Sequence, residues 1–162
     1  GVWGRPWVFA HNGNLIDFYP ELNGMYSPVG STDSERAFCY ILQELRYVFD
    51  GRTAANPPSP VEINAALKPI AAHIASFGVF NFCLSNGQVM WAHCSTHLYF
   101  VVREYPFATA HLLDADVLID FADHTTPDDR VAVIATAPLT DNEVWYKMLA
   151  NESIMFINGH PL

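Results

Sequence analysis

Two short segments join backbone freedom to polar side chains at the end of a regular element: Ala10-His11-Asn12-Gly13 and Gly30-Ser31-Thr32-Asp33-Ser34-Glu35. In the first, Asn12 offers a side-chain amide and Gly13 a backbone N–H that no side chain screens. Two donors aimed at one point are what an oxyanion hole requires. In the second, Asp33 falls in the first turn of a helix, where its carboxylate beside the terminal N–H groups could hold a ligand ammonium. Both segments also have a plain structural reading. Asn-Gly after a strand usually makes a turn, and an acid in a first helical turn usually just complements the dipole.

The elements that must position these residues follow from periodicity and punctuation. Trp7-Val8-Phe9-Ala10 reads as a buried strand, and His11 to Asn14 as a tight loop that ends it. Phe38, Ile41, Leu42, Leu45 and Phe49 recur at helical spacing, so a helix is expected over 35–49, opened by a Thr32/Glu35 capping box. Gly51 to Pro60 reads as a linker. Ser59, Pro60 and Glu62 start a second helix expected to reach about Phe77, with a kink or break at Pro69. Val79 to Leu84 and Gln88 to His93 flank Ser85-Asn86-Gly87 as a hairpin. Further strands are expected over 98–103, 111–121, 131–136 and 154–157. Helices first and strands second favour an α+β fold of antiparallel sheets over alternating βαβ units.

Composition narrows the function. The chain has 162 residues, 51% of them hydrophobic and 15% charged, enough for one domain with a real core over 1–162. A formal charge of −9 with only 8 Lys and Arg gives no electrostatic footprint for nucleic acid. No apolar run approaches the roughly 20 residues that cross a bilayer, so neither a membrane nor a nucleic-acid partner is expected, and the setting reads as cytoplasmic. Cys39, Cys83 and Cys94 are odd in number and lie among apolar residues, which suits reduced packing residues. The chain opens directly on an apolar segment, Val2 to Ala10, so it is expected to begin within a fold.

In their order and spacing the two segments resemble the class II, or N-terminal-nucleophile, glutamine amidotransferases, most of all the small stand-alone YafJ-like branch. The matching stretches are Trp3-Gly4-Arg5-Pro6-Trp7-Val8-Phe9-Ala10-His11-Asn12-Gly13 and Pro28-Val29-Gly30-Ser31-Thr32-Asp33-Ser34-Glu35. Gly78-Val79-Phe80-Asn81, Cys94-Ser95-Thr96, Thr125-Thr126-Pro127, Ala137-Pro138-Leu139-Thr140 and Trp145 extend the likeness over essentially the whole chain. The resemblance implies an αββα sandwich of antiparallel sheets between helical layers, to which this chain gives the later strands and both long helices. It implies that Asn12 and Gly13 form the oxyanion hole and that Asp33 holds the α-ammonium of glutamine, with His11 and Thr32 beside it in the substrate site. His11 has a hydrogen-bonding role there, because in this family the α-amine of the first residue is the base.

The resemblance also implies that the nucleophile is an N-terminal cysteine and that an upstream arginine holds the α-carboxylate. Residue 1 is Gly, and neither group stands before Trp3. The expected enzyme therefore draws its cysteine from an N-terminal segment outside this chain, and the chain alone is expected to be inactive. Its reaction is hydrolysis of the glutamine side-chain amide to glutamate and ammonia, with no cofactor and no metal. Hydrolysis of another γ-glutamyl amide, as in the ergothioneine pathway, and non-catalytic glutamine binding stay open as alternatives. His93-Cys94-x-x-His97 imitates a metal site, yet successive strand residues point to opposite faces. The acidic runs Asp114 to Asp123 and Asp128-Asp129 read as solvated edges and turns, and Trp145 and Tyr146 as cover for the core.

Overall fold

The computed structural model describes residues 1–162. Its elements run β1 (Val8–Leu15), α1 (Asp33–Val48), α2 (Pro60–Ala75), β2 (Gly78–Ser85), β3 (Met90–His93), β4 (Tyr99–Glu104), β5 (Thr109–His111) and β6 (Leu118–Asp120). A short 3-10 turn, β7 (Arg130–Ala135), β8 (Tyr146–Lys147), β9 (Ser153–Ile157) and β10 (His160–Pro161) complete the chain. One antiparallel sheet has the order β1-β2-β3-β9-β10, a second the order β7-β4-β8, and β5 and β6 form a separate hairpin. No helix is long and apolar enough to cross a membrane.

Alternation along the strands sorts the large sheet into two faces. Phe9, Phe80, Phe82, Trp91 and Met155 point to one face, where Ala37, Ile41 and Leu45 of α1 and Ile63, Leu67, Ile70 and Ile74 of α2 close over them. A fully buried Ile, Leu, Phe or Met among them contributes about 1.5–3 kcal/mol. The other face gives Cys83, Ala92, Ile154 and Phe156 to a second cluster with Leu98, Phe100, Ala132 and Ile134 around the small sheet. The layers are thus helices, sheet, sheet, with both long helices on one side.

The helix starts agree with their caps. Thr32 accepts from Glu35 N, and at α2 Ser59 and Glu62 make a reciprocal capping box. The Glu35 carboxylate instead accepts from Gly30 N and the Thr32 hydroxyl, tying the preceding loop to the helix. Pro69 lies inside α2 without breaking it: the residue is exposed and the missing donor falls on the water side. The Asn-Gly hairpin forms between β2 and β3 with a longer loop, in which Asn86 Oδ1 accepts from Gln88 N and Val89 N.

Two expectations are corrected. Residues 11–14 continue β1 and do not turn, because each pairs in register with β2, from His11↔Phe82 to Asn14↔Val79. Gly13 adopts φ +144°, which keeps the chain extended where a side chain could not fit. The single strand expected over 111–121 is two strands, β5 and β6, folded back with Asp116 at φ +47°. His111 holds that turn, with Nε2 2.7 Å from Asp116 and Nδ1 2.8 Å from Asp141. Trp145 is half-buried and donates to Thr140 Oγ1, while the exposed Tyr146 packs on Phe100, so the pair covers the small sheet and not the main core.

Candidate active site

β1 is the outer strand of the large sheet, paired with β2 on one side only. The pairing fixes where its backbone groups point. Ile16 N donates to Phe77 O, and antiparallel ladders alternate, so Asn12 and Asn14 turn their N–H groups to β2 while Gly13 and Leu15 turn theirs to the open edge. Leu15 N uses that freedom to donate to Asp33 Oδ2 at 2.9 Å. Gly13 N–H lies two residues back along the same edge, about 6.6–6.8 Å away at strand rise. One open edge therefore carries a free backbone donor and, from α1, a carboxylate.

Asp33 is the first residue of α1 and half-buried. Burial works against its charge, but the N–H groups of Leu15 and Ser34 outweigh it and hold the carboxyl below its usual range. Ser34 N donates to Asp33 Oδ1 at 2.9 Å. Thr32, exposed, caps the helix. Arg36 braces the approach, donating from Nε to Phe18 O and from Nη1 to Ser31 O.

His11 bridges three elements. From β1 its Nδ1 lies 2.9 Å from Ser34 Oγ of α1, and its Nε2 lies 3.1 Å from Val79 O of β2. Asn12 is exposed and stands opposite Asn81 in the ladder, so its side chain leaves the sheet from the face away from α1. Asn81 itself is 1% exposed, accepting from Ser95 N and Thr96 N and donating to Thr96 Oγ1. The structure thus brings His11, Gly13 and Asp33 to one edge and sends the Asn12 side chain to the second face of the same strand. Sequence reasoning had not singled out Ser34 and Asn81, although both lie inside the motifs it quoted.

Elsewhere the residues are less suited to chemistry. All three cysteines are free, and burial raises each thiol, Cys83 to about 11, so none is a ready thiolate. His93 and Cys94 turn to opposite faces, the first stacked on Phe82 and the second packed against Leu98 and Met148. A cavity of about 680 Å³ lies away from this edge, between the loop at Glu21 and the α1 residues Tyr40 and Tyr47.

The sequence pattern of the family described as "Glutamine amidotransferases class-II" matches residues 1–162. A candidate glutamine amidotransferase of Haemophilus influenzae is 44% identical over 161 residues, which is 99% of this chain and 53% of that protein. The Escherichia coli protein YafJ, a candidate for the same activity, is 45% identical over 98% of this chain and 60% of its own length. The crystal structure of a Pseudomonas aeruginosa protein, described as a predicted glutamine amidotransferase, superposes with a TM-score of 0.84 at 43% identity. That superposition covers 100% of this chain and 62% of the other. The chain therefore spans a little over half the length of each of these three relatives.

Proposed function

The chain belongs to the class II glutamine amidotransferases, with the sandwich fold of that family, and on that premise we propose that it carries the oxyanion-stabilising and glutamine-recognising part of a glutaminase site. A cysteine from a segment outside residues 1–162 supplies the nucleophile. Its thiolate attacks the side-chain amide carbon of glutamine, and the negative oxygen that forms is met by Gly13 N–H at the strand edge, with the Asn12 amide reaching the same point from the second face of β1. The α-amine of the cysteine takes the thiol proton as the thiolate forms and passes it to the leaving nitrogen, which departs as ammonia; water then hydrolyses the γ-glutamyl thioester to glutamate and returns the thiol. The Asp33 carboxylate holds the α-ammonium of the substrate throughout, with His11 and Thr32 in the wall beside it.

The observation that carries this reading is the open edge of β1, where a free Gly13 N–H and the Asp33 carboxylate share one line of backbone. The second support is negative charge held ready, since an Asp33 kept below its usual range is ionised at neutral pH. The raised thiols of Cys39, Cys83 and Cys94 favour a nucleophile outside the chain. Three free thiols also suit a reducing, cytoplasmic setting.

The test is ammonia release from glutamine by the whole protein, before and after alkylation with iodoacetamide, with the modified cysteine located by mass spectrometry. Loss of turnover on modifying a cysteine outside 1–162 is expected, and 1–162 alone is expected to be inactive. Loss that tracks modification of Cys39, Cys83 or Cys94, or turnover indifferent to alkylation, refutes the reading. Glutamine binding without hydrolysis points to a non-catalytic protein, and preference for a substituted γ-glutamyl amide to the hydrolase alternative.

A further inference from the structure

Resting on the glutaminase reading, we propose that His11 and Ser34 form a positioning pair that fixes the separation between the oxyanion donor on β1 and the Asp33 carboxylate on α1. The need is set by the substrate. The carbon chain of glutamine has a bounded reach, so its α-ammonium and its side-chain carbonyl can meet Asp33 and Gly13 N–H together only within a limited range of spacing.

The Leu15 to Asp33 bond at 2.9 Å attaches the start of α1 to β1 at one point. A single point leaves the helix end free to pivot. His11 to Ser34 at 2.9 Å is a second attachment, one residue further along the helix and four residues back along the strand. Two attachments on different side chains define a direction, and the helix end can then neither slide nor turn on the sheet edge.

The partners also settle the proton positions on the imidazole. Val79 O can only accept, so the Nε2 that faces it at 3.1 Å carries the hydrogen. In the neutral imidazole Nδ1 is then the acceptor for the Ser34 hydroxyl. With both ring nitrogens engaged, none is left to take a proton from substrate, and His11 acts through Ser34 and α1 rather than on the reacting atoms. Gly13 opens the path for this contact: a Cβ there would lie 1.9 Å from Val79 O and 2.9 Å from His11 Nε2. The two conspicuous segments of the sequence are thereby joined by one side-chain bond.

The experiment compares wild type, Ser34→Ala and Ser34→Thr in the whole protein, with two substrates: glutamine and glutaramate, which is glutamine without its α-amine. Ser34→Ala is expected to lower kcat/KM for glutamine about 10- to 100-fold, the scale of a displacement of about 1 Å. Glutaramate makes no use of Asp33, so its turnover should fall far less, and Ser34→Thr, which keeps the hydroxyl, should restore most of the glutamine rate. Nitrogen chemical shifts of His11 should show the Nε2–H tautomer in the wild type. Equal loss for both substrates, or an unchanged Ser34→Ala enzyme, overturns the proposal. If the wild type releases no ammonia, the glutaminase reading fails instead, and the pair is judged by the His11 shifts alone, an Nδ1–H tautomer overturning it.

Discussion

Gly13→Ala separates what the backbone of β1 demands from what the site demands. At φ +144° an alanine is strained by about 1–3 kcal/mol. Its Cβ would also fall 1.9 Å from Val79 O, far inside van der Waals contact, and that oxygen belongs to the backbone, which yields only if the strand moves. Moving it loosens the ladder at Asn12↔Asn81 and Asn14↔Val79, where each hydrogen bond is worth about 0.5–1.5 kcal/mol net. The total is about 2–6 kcal/mol. For a chain of 162 residues each kcal/mol shifts Tm by about 2–4 °C, so Gly13→Ala should melt roughly 4–24 °C below wild type. Thermal unfolding followed by circular dichroism measures this, with Gly87→Ala as the reference. Gly87 also has a positive φ, +84°, but a Cβ there meets nothing within 4 Å, so it carries the conformational cost alone. If the two variants melt together, the close approach of β2 to Gly13 is not what selects glycine, and the account of β1 is wrong.

Three further outcomes are expected. Asn12→Ala should leave folding stability within about 0.5 kcal/mol of wild type, since the residue is exposed, yet slow glutamine turnover about 100- to 1,000-fold; equal turnover would remove Asn12 from the oxyanion hole. Asp33→Asn should raise KM for glutamine much more than for glutaramate, and a parallel rise for both, measured by steady-state kinetics, would show that it acts only on helix α1. His93 is 2% exposed, and burial lowers its pKa from 6.5 to about 4, so the folded state keeps it neutral. Its contribution is complete above pH 6.5 and is lost as pH falls toward 4, where the unfolded chain binds a proton that the folded one refuses, a loss of about 3 kcal/mol. Urea unfolding at pH 7 and pH 4.5 should therefore show a smaller acid-induced loss in His93→Phe than in wild type; identical losses would contradict the burial argument.

Several features were legible because they are local. The caps at Thr32 and Ser59, the helical spacing from Phe38 to Leu45, and the Asn86-Gly87 hairpin each depend on residues a few positions apart, and the structure has all of them. The pairing of Asn12-Gly13 with Asp33 as a family motif was legible as well, since it is a pattern of residue types. The readings that failed placed local signals against distant partners. His11 to Asn14 has turn chemistry, but eight consecutive pairs with β2 hold it extended. The segment 111–121 alternates like one strand, but His111 draws Asp116 and Asp141 together and folds it into two.

What the sequence determined by itself is thus the two long helices with their caps, the β2–β3 hairpin and the family to which the chain belongs. What tertiary structure decided is the edge: that Gly13 and Leu15, and not Asn12 and Asn14, turn their N–H groups outward, that Leu15 N reaches Asp33, and that His11 reaches Ser34 across 23 residues. The reason is physical. Residue types and spacing fix dihedral preferences and periodicity, whereas the direction of a strand's free N–H groups depends on which residues of a partner far along the chain it pairs with, and one step of register would reverse every one of them.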